Sequence, residues 1–254
     1  MTTLQDFQGR SALVTGAASG IGAACARTLA ARGASRLFLV DVDGPGLEAL
    51  DLPDACEVHR IVGSVADEAL WQGLEPRLAG LDHAVVNAGI GAGGPLASLA
   101  LADWRRVMDV NLDGAFMTLA SSLRAMIGRG GSIVVVASTT GLKPVPGIGP
   151  YGVSKAAVAH MARIAAAENA QHGIRVNAIA PGGVDTAIWE SGPDFLASVE
   201  KIGREATIAR MAKTTPLGRF ASSEEMADCI CYLLADASSN ITGHVMVSDG
   251  GFTL

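Results

Sequence analysis

Short aliphatic runs alternate with longer helical patterns along nearly the whole chain, and this alternation restricts the fold more than any other feature. Most of the runs are rich in Val, Ile and Leu, which is typical of strands covered on both faces of a sheet. They occupy residues 12–14, 37–40, 58–62, 83–86, 133–137, 174–179 and 245–247. A regular β-α alternation predicts one doubly wound, mainly parallel, seven-stranded sheet with right-handed crossovers.

Helical patterns separate the predicted strands and carry their own end signals. They cover residues 21–31, 67–79, 103–127, 151–171 and 223–234. Glycine tolerates the left-handed backbone that often closes a helix, and three glycines stand where these helices should end: Gly33, Gly128 and Gly173. Ser222 and Glu225 have the spacing of a capping box, which predicts the start of the last helix.

One stretch, residues 185–216, interrupts the alternation. It contains Gly192-Pro193 and an amphipathic run. It is either an inserted lid or pocket wall, or a helix packed on the edge of the sheet. Because neither an internal repeat nor a linker divides the rest of the sequence, we expect one domain over residues 1–254, with this segment as its lid.

Composition and charge exclude several classes of protein. The 254 residues are 49% hydrophobic and 17% charged, which allows a sizeable core. The net charge is −6, and no run of Lys or Arg supplies the positive field that nucleic acids require. The sequence shows no apolar signal core and no stretch of ~18 uninterrupted apolar residues, so we expect a cytoplasmic protein without a membrane partner. The four cysteines and five histidines lack metal-ligand spacing, so no metal site is expected.

A glycine-rich turn connects the first predicted strand to the first helix, with the sequence Thr15-Gly16-Ala17-Ala18-Ser19-Gly20-Ile21-Gly22. Glycines allow the backbone to approach a ligand closely, and the start of a helix offers free N–H groups to a pyrophosphate. No Lys-Ser/Thr pair follows the last glycine, which excludes a P-loop. A nucleotide site or a plain tight turn would both fit the turn on its own.

The end of the second predicted strand favours the nucleotide site. Asp41 stands there, nineteen positions after Gly22. A carboxylate at this place accepts hydrogen bonds from the ribose hydroxyls of NAD and repels the 2′-phosphate of NADP. Because no Arg or Lys lies in the glycine turn or directly after Asp41, we expect NAD as the cofactor. The alternative is that Asp41 only caps the next turn.

The most specific chemical signal is the pair Tyr151 and Lys155 at the start of the helix after strand five. Residues four apart lie on one helical face, and an ammonium near a phenol lowers the phenol pKa from about 10. Such a tyrosine serves as general base toward an alcohol or general acid toward a ketone. Ser138, thirteen residues earlier at the end of strand five, can hydrogen-bond the substrate oxygen.

Together these residues resemble the compact members of the short-chain dehydrogenase/reductase family, and the resemblance runs from about Gln8 to Leu254. It is carried by Thr15-Gly16-x-x-x-Gly20-x-Gly22, Asn87-Ala88-Gly89, Asn111, Ser138, Tyr151-x-x-x-Lys155 and Pro181-Gly182. The resemblance implies a Rossmann-like α/β fold and an NAD(H)-dependent oxidoreductase that interconverts a secondary alcohol and a ketone by hydride transfer.

The resemblance also implies a role for each matching residue. The counterpart of Tyr151 is the acid/base, and that of Ser138 orients the substrate oxygen. The counterpart of Lys155 binds the nicotinamide ribose and lowers the pKa of the tyrosine. The counterpart of Asn111 supports a water-mediated proton relay to the lysine, whereas the alternative is a helix residue that faces solvent. The residues expected along the cofactor are Gly16, Ser19, Gly20, Ile21, Gly22, Asp41, Ser64, Val65, Asn87, Ala88, Gly89, Tyr151, Lys155, Pro181, Gly182, Val184 and Thr186.

Two positions depart from the family pattern. Ser64-Val65 stands at the end of strand three, where the family often has Asp-Val, and Val86 replaces a frequent Asn before Asn87. Ser64 can still hydrogen-bond the adenine amine, but a charged acceptor is missing. These changes do not affect the catalytic residues and concern only the affinity for the adenine.

Two other functions compete with this interpretation. An isomerase or dehydratase with bound NAD usually carries a larger C-terminal substrate domain, for which 254 residues leave no room. A non-catalytic NAD-binding or scaffold protein on the same fold would not need Asn111, Ser138, Tyr151 and Lys155 together.

The substrate and the assembly are less constrained. The expected pocket residues are largely apolar and approached by no cation except Lys143, which favours an apolar, cyclic or aromatic substrate. They are Thr139, Thr140, Leu142, Val145, Ile148, Gly183 and residues 186–211 with Trp189. Relatives pair through the long helices and the last strand, and residues 245–254 are apolar and glycine-rich here. We therefore expect a homotetramer, a dimer of dimers.

Overall fold

One seven-stranded sheet runs through the computed structural model, which describes residues 5–254. Its order is β3-β2-β1-β4-β5-β6-β7, and neighbouring strands run parallel. The strands are β1 (Ser11–Thr15), β2 (Arg36–Asp41), β3 (Glu57–Val62), β4 (His83–Val86), β5 (Gly131–Val136), β6 (Ile174–Pro181) and β7 (Val245–Ser248). The predicted fold class is confirmed, and each predicted strand is present within a few residues of its expected ends.

Helices cover both faces of the sheet. They are α1 (Gly20–Ala31), α2 (Gly44–Glu48), α3 (Glu68–Leu74), α4 (Leu101–Met108), α5 (Gly114–Met126), α6 (Gly149–Asn169), α7 (Pro193–Ile202), α8 (Arg204–Ala212) and α9 (Ser223–Leu234). The predicted helix 67–79 ends early at Leu74 and continues as the 3₁₀ turn Glu75–Leu78, because Pro76 has no N–H to continue an α-helix. The predicted helix 103–127 is divided by one wider π-helical turn, Asp109–Asp113.

Two apolar layers enclose the sheet. Side chains of β2 alternate between them: Leu37 and Leu39 contact the layer with α1 and α9, whereas Phe38 and Val40 contact the layer with α5 and α6. This alternation follows from the period of two along a strand. Burial on both faces holds the strand ends in place, and the loops at those ends become fixed supports for a site.

The predicted end signals of the helices are confirmed. Gly33, Gly128 and Gly173 have φ values of 97°, 83° and 68°, in the left-handed region that glycine enters without strain. Ser222 and Glu225 form both hydrogen bonds of the capping box. In the described part of the chain, no helix combines the length and the hydrophobicity that crossing a bilayer would take.

Residues 185–216 lie between β6 and α9 and contribute no strand to the sheet. They form the 3₁₀ turn Ala187–Ser191 followed by α7 and α8. Arg204, at the start of α8, pairs with Asp185 at 2.7 Å and lies 3.7 Å from Glu190. These ion pairs tie the second helix back to the beginning of the segment.

Candidate active site

The glycine-rich turn leaves the carboxyl end of β1 in a conformation that requires glycine. Gly16 and Gly20 have φ values of 65° and 51°. A Cβ added to Gly22 would lie 2.0 Å from the carbonyl oxygen of Gly16, so a side chain there would overlap the backbone. Helix α1 begins at Gly20, and the side chain of its N-cap, Ser19, makes no capping hydrogen bond within the described chain. The first N–H groups of α1 are therefore available to an anionic ligand.

Asp41 is brought to this turn from the end of β2. Its Oδ2 accepts a hydrogen bond from the N–H of Ala18 at 2.9 Å, and its Oδ1 accepts one from the N–H of Asp43 at 3.0 Å. The carboxylate is half-buried and retains further lone pairs. Asp41 thus lies beside the glycine turn, as its spacing from Gly22 predicts. These residues fit a dinucleotide bound along the turn.

Thr15 connects the glycine turn to the end of β4, a role that the sequence did not reveal. Its buried hydroxyl accepts hydrogen bonds from the N–H groups of Asn87 at 3.1 Å and Ala88 at 3.2 Å. The side chain of Asn87 donates in return to the carbonyl oxygens of Thr15 at 2.9 Å and Gly16 at 3.2 Å. Asn87 thus holds the turn itself, and its amide nitrogen is already committed to the backbone.

Ser138, Tyr151 and Lys155 come together at the carboxyl ends of the strands. Ser138 lies two residues beyond β5 and is 7% exposed, while Tyr151 stands in the first turn of α6. Lys155 is buried one turn later, where its Nζ donates to the carbonyl oxygen of Val136 at 2.8 Å. The same Nζ lies 5.7 Å from the centre of the Tyr151 ring. One phenol, one hydroxyl and one ammonium therefore share a small, largely buried space.

Burial shifts the pKa values of Tyr151 and Lys155. Desolvation raises the pKa of Tyr151 to about 12, against a hydrogen bond with Ser138 that lowers it. Desolvation likewise lowers the pKa of Lys155 to about 8. The pKa of Tyr151 is therefore raised overall, because burial outweighs the hydrogen bond with Ser138. The lowering effect of Lys155, whose Nζ lies 5.7 Å from the ring centre, stays a prediction.

Asn111 faces inward from the π-helical turn and is 1% exposed. Its Oδ1 accepts from the N–H of Ile90 at 2.8 Å, and its Nδ2 donates to the carbonyl oxygen of Ile90 at 3.0 Å and to the hydroxyl of Ser154 at 3.1 Å. The solvent-facing alternative is therefore wrong. A Cβ added to Gly89 would lie 3.3 Å from Asn111 Oδ1 and 3.4 Å from Lys155 Nζ, so both polar groups lie directly beside this glycine.

The residues expected near the adenine follow the end of β3. The hydroxyl of Ser64 accepts from the N–H of Ala66 at 3.2 Å. Val65 is 5% exposed, and its carbonyl oxygen accepts from Nε1 of Trp71 at 2.8 Å. A Cβ on Gly114 would lie 2.6 Å from Val65, so the valine packs against the start of α5. The Val65 side chain is thus used in packing, and its carbonyl oxygen is used in the hydrogen bond to Trp71.

The chain after β6 returns to the glycine turn. A Cβ on Gly20 would lie 3.1 Å from the methyl carbon of Thr186, which places Thr186 beside the start of α1. Pro181 and Val184 are buried, and a Cβ on Gly182 would lie 2.7 Å from Cα of Asp249. This loop therefore follows the site in close contact with both the turn and the C-terminal segment.

Three aromatic rings stand on the same side, next to the loop after β6. Phe220 lies against Gly183, whose added Cβ would be 2.2 Å from the ring, and Trp189 stacks on Phe220 with centroids 5.4 Å apart. Trp189 also donates to the carbonyl oxygen of Val184 at 2.7 Å, and Phe195 lies 6.4 Å from its ring centre. We call Trp189, Phe195 and Phe220 the aromatic wall.

Lys143 does not supply the cation that the sequence placed near the pocket. Its Nζ donates to the carbonyl oxygen of Phe252 at 2.8 Å and lies 4.8 Å from the centre of that ring. Of the other expected pocket residues, Thr139 is buried, Thr140 and Val145 are half-buried, and Leu142 is exposed. No group of three or more His, Cys, Asp or Glu residues suited to a metal ion occurs within residues 5–254.

Comparison with known proteins decides the family. A family model described as enoyl-(acyl carrier protein) reductase matches residues 16–253. A solved short-chain type dehydrogenase/reductase from Mycobacterium marinum superimposes with a TM-score of 0.87 at 33% identity, covering 98% of both chains. The chain belongs to the short-chain dehydrogenase/reductase family.

Two curated relatives cover almost all of this short-chain dehydrogenase/reductase. The 2,5-dichloro-2,5-cyclohexadiene-1,4-diol dehydrogenase of Sphingobium indicum is 37% identical over 98% of this chain and 99% of the relative. The cis-4-hydroxycyclohexanecarboxylate dehydrogenase of Sinomonas cyclohexanicum is 40% identical over 97% and 98%. The family uses a nicotinamide cofactor, NAD or NADP, and the chain is an oxidoreductase that acts on CH–OH groups.

Sequence reasoning missed two supports of this short-chain dehydrogenase/reductase site besides Thr15. Ser154 accepts from Asn111 and donates to the carbonyl oxygen of Tyr151 at 2.7 Å, which ties the π-helical turn to the first turn of α6. Its spacing of three from Tyr151 was the signal that could have revealed it. Phe220 carries no such signal, because only the tertiary fold brings it to Gly183.

Proposed function

We propose that this protein is an NAD(H)-dependent dehydrogenase that interconverts a secondary alcohol and a ketone on an apolar, cyclic substrate. The observation that carries the proposal is that Ser138 and Lys155 both lie next to Tyr151, while Asn111 lies with Lys155 beside Gly89. These groups stand at the carboxyl ends of the strands, where open α/β sheets bind their ligands.

The contacts with the cofactor are proposed from the positions of the residues described above. Gly16, Gly20 and Gly22, with the start of α1, would hold the pyrophosphate, and Asp41 would accept hydrogen bonds from the adenosine ribose. The other expected contacts lie along the same path: Ser19, Ile21, Ser64, Val65, Asn87, Ala88, Gly89, Pro181, Gly182, Val184 and Thr186. The nicotinamide, when bound, accepts or returns the hydride, and its oxidised ring adds a positive charge to the site.

Proton transfer is the part of the reaction that the chain itself performs. Tyr151 would take the hydroxyl proton at Oη during oxidation and return it during reduction, while Ser138 holds the substrate oxygen. Lys155 and Asn111 both lie beside Gly89, where a water between their polar atoms would relay the proton. Because burial favours neutral Tyr151, positive charge from Lys155 and the oxidised cofactor is needed to ionise it.

The substrate class is proposed from the aromatic wall and from the relatives. The wall presents apolar rings beside the loop after β6, and Lys143 is committed to Phe252. Both relatives named above are dehydrogenases of six-membered carbocyclic alcohols by name. A cyclic alcohol or ketone suits such an apolar surface better than a small dicarboxylate.

Residues 185–216 are proposed as the lid of this site. Gly91, on the loop after β4, faces Ser191 closely, since an added Cβ would be 2.2 Å from its hydroxyl oxygen. The segment therefore contacts the loop after β4, and as a lid it would cover the space next to the aromatic wall.

We also propose a homotetramer. Several large apolar side chains on the long helices and the last strand are exposed: Phe116, Val153, Ile164 and Val247. Apolar surface of this kind on a helix pair and an edge strand suits pairing with further copies. Light scattering that gives the mass of one chain would contradict the assembly and leave the enzyme proposal intact.

The direct test is a panel of cyclic and open-chain secondary alcohols with NAD⁺ and NADP⁺ in parallel, followed at the absorbance of the reduced nicotinamide. The expected result is NADH formation that is strongest with cyclic alcohols and is lost in Tyr151→Phe. Tight NADH binding without turnover of any alcohol or ketone would favour the non-catalytic alternative. A preference for NADP⁺ would overturn the role given to Asp41.

A further inference from the structure

Thr140 makes two hydrogen bonds to the hydroxyl of Ser138. Its backbone N–H donates to Ser138 Oγ at 3.2 Å, and its side-chain hydroxyl donates to the same oxygen at 3.0 Å. A serine hydroxyl has two acceptor lone pairs and one proton to donate. With both acceptor positions filled by Thr140, the proton of Ser138 remains free to donate.

We propose that Thr140 is a positioning residue for the proposed reaction, because it fixes Ser138 as a hydrogen-bond donor toward Tyr151 and the substrate oxygen. The inference rests on the proposed function and adds a residue to it. A free serine hydroxyl rotates among staggered positions and donates or accepts in each of them. The hydroxyl of Thr140 removes this freedom, and a chain of hydrogen bonds in one direction also strengthens the last donor.

The backbone around Thr140 is held firmly enough for this role. Residues Thr139–Gly141 form a 3₁₀ turn directly after Ser138. A Cβ on Gly141 would lie 2.6 Å from the backbone nitrogen of Ala156, and one on Gly152 would lie 3.1 Å from the carbonyl oxygen of Thr140. The turn therefore packs directly on the first two turns of α6, which carry Tyr151 and Lys155.

A donor at Ser138 would act directly on the ionisation of Tyr151. The hydrogen bond with Ser138 lowers the pKa of Tyr151, as expected when a donor stabilises the phenolate. If Thr140 is removed, Ser138 has a vacant lone pair and other rotamers become equally suitable. The phenolate is then less stabilised, and oxidation requires a higher pH.

Thr140→Val and Thr140→Ser separate this role from simple packing. Valine keeps the shape and the backbone N–H but removes the hydroxyl, whereas serine keeps the hydroxyl. We expect Thr140→Val to lower kcat about three- to tenfold, the size of one neutral hydrogen bond, with little change in KM for NAD⁺. The rising limb of the pH profile for oxidation should move to higher pH, and Thr140→Ser should restore both. Thr118→Val, which removes a buried hydroxyl bonded to Gly114 in α5, should match the wild type.

A second measurement does not depend on turnover. In a Tyr232→Phe background Tyr151 is the sole tyrosine, so tyrosine labelled with ¹³C at Cζ gives one resonance that reports its ionisation. Thr140→Val should move the onset of ionisation to higher pH, and Thr140→Ser should not. Identical titrations in all three proteins, or an equal loss of kcat in both Thr140 variants, would overturn the inference. A shift in the resonance of a protein that oxidises no alcohol would support the hydrogen-bond chain and reject the proposed function.

Discussion

The proposed site has two halves that are built in different ways: a cofactor half, formed by the glycine turn, Asp41 and the end of β4, and a substrate half, formed by the loop after β6 and the aromatic wall. The cofactor half joins backbone to backbone through short side chains: Thr15 to Asn87 and Ala88, and Asp41 to Ala18. The substrate half depends on large side chains from distant parts of the sequence, such as Phe220 on Gly183 and Trp189 on Phe220. Where the contacts use backbone atoms, few substitutions are tolerated; where they use side chains, the pocket can change while the fold is kept.

The largest effect is expected when the proposed acid/base group, the hydroxyl of Tyr151, is removed and both halves are left intact. Tyr151→Phe keeps the ring and loses the hydroxyl, so kcat should fall by about 10³-fold, within the range for a lost general acid–base group. NADH binding, followed by fluorescence, should stay near the wild-type value. Tyr232→Phe, on the exposed face of α9, is the matched control. If Tyr151→Phe kept more than a tenth of the activity, another group would have to move the proton.

A side chain in the glycine turn should break the cofactor half. In Gly22→Ala the new Cβ would meet the carbonyl oxygen of Gly16, and relief of this overlap must distort the turn. We expect a loss of about 1–3 kcal/mol in the free energy of unfolding by urea and at least tenfold weaker NADH binding. Gly73→Ala is the control, because an added Cβ there has open space in α3 and should stabilise the helix slightly. Equal NADH affinity in the two variants would contradict the proposed pyrophosphate position.

The sequence predicted the cofactor half better than the substrate half, and the construction of each half explains why. Glycine spacing, the register of Asp41 and the pair Tyr151 and Lys155 are local patterns with fixed geometric consequences. The strands were equally clear, because burial on both faces leaves continuous aliphatic runs.

What the sequence did not predict depends on tertiary contacts or on competing energies. Phe220 reaches the site from a separate segment, and Lys143 turns to Phe252 because the C-terminal segment passes beside it. The raised pKa of Tyr151 could not be predicted from spacing, since the lysine was visible in the sequence but the extent of burial was not. The π-helical turn at Asn111 interrupts an otherwise regular helical pattern without a Pro.

The pH dependence of alcohol oxidation and ketone reduction should report the ionisation of Tyr151. Its pKa is raised to about 12 by burial, so the base form is scarce at neutral pH and the acid form is abundant. Alcohol oxidation should rise up to about tenfold per pH unit below the apparent pKa, while ketone reduction should be nearly constant there. Lys155→Met should move the rising limb to higher pH. An oxidation rate independent of pH between 6 and 9, with chemistry limiting, would contradict Tyr151 as the base.

Asp41→Asn tests the residue that we propose favours NAD⁺ over NADP⁺. Asparagine keeps one acceptor oxygen but removes the charge that repels a 2′-phosphate. The ratio of kcat/KM for NAD⁺ over NADP⁺ should fall about tenfold, which corresponds to about 1.4 kcal/mol. Asp43→Asn is a close control, since Asp43 caps α2 and asparagine caps helices equally well. An equal change in both variants would show that general charge, and not the ribose contact, sets the preference.

The smallest effect is expected in the substrate half. Trp189→Leu removes the stack on Phe220 and the hydrogen bond to the carbonyl oxygen of Val184, but leaves the glycine turn and α6 in place. KM for a cyclic alcohol should rise about three- to tenfold, as for the loss of one aromatic contact with an apolar ligand, and NADH affinity should be unchanged. Trp189→Phe should be intermediate, because it keeps the stack and loses the hydrogen bond. If cofactor affinity fell as much as substrate affinity, the two halves would not be independent, and residues 185–216 would have to be assigned to both.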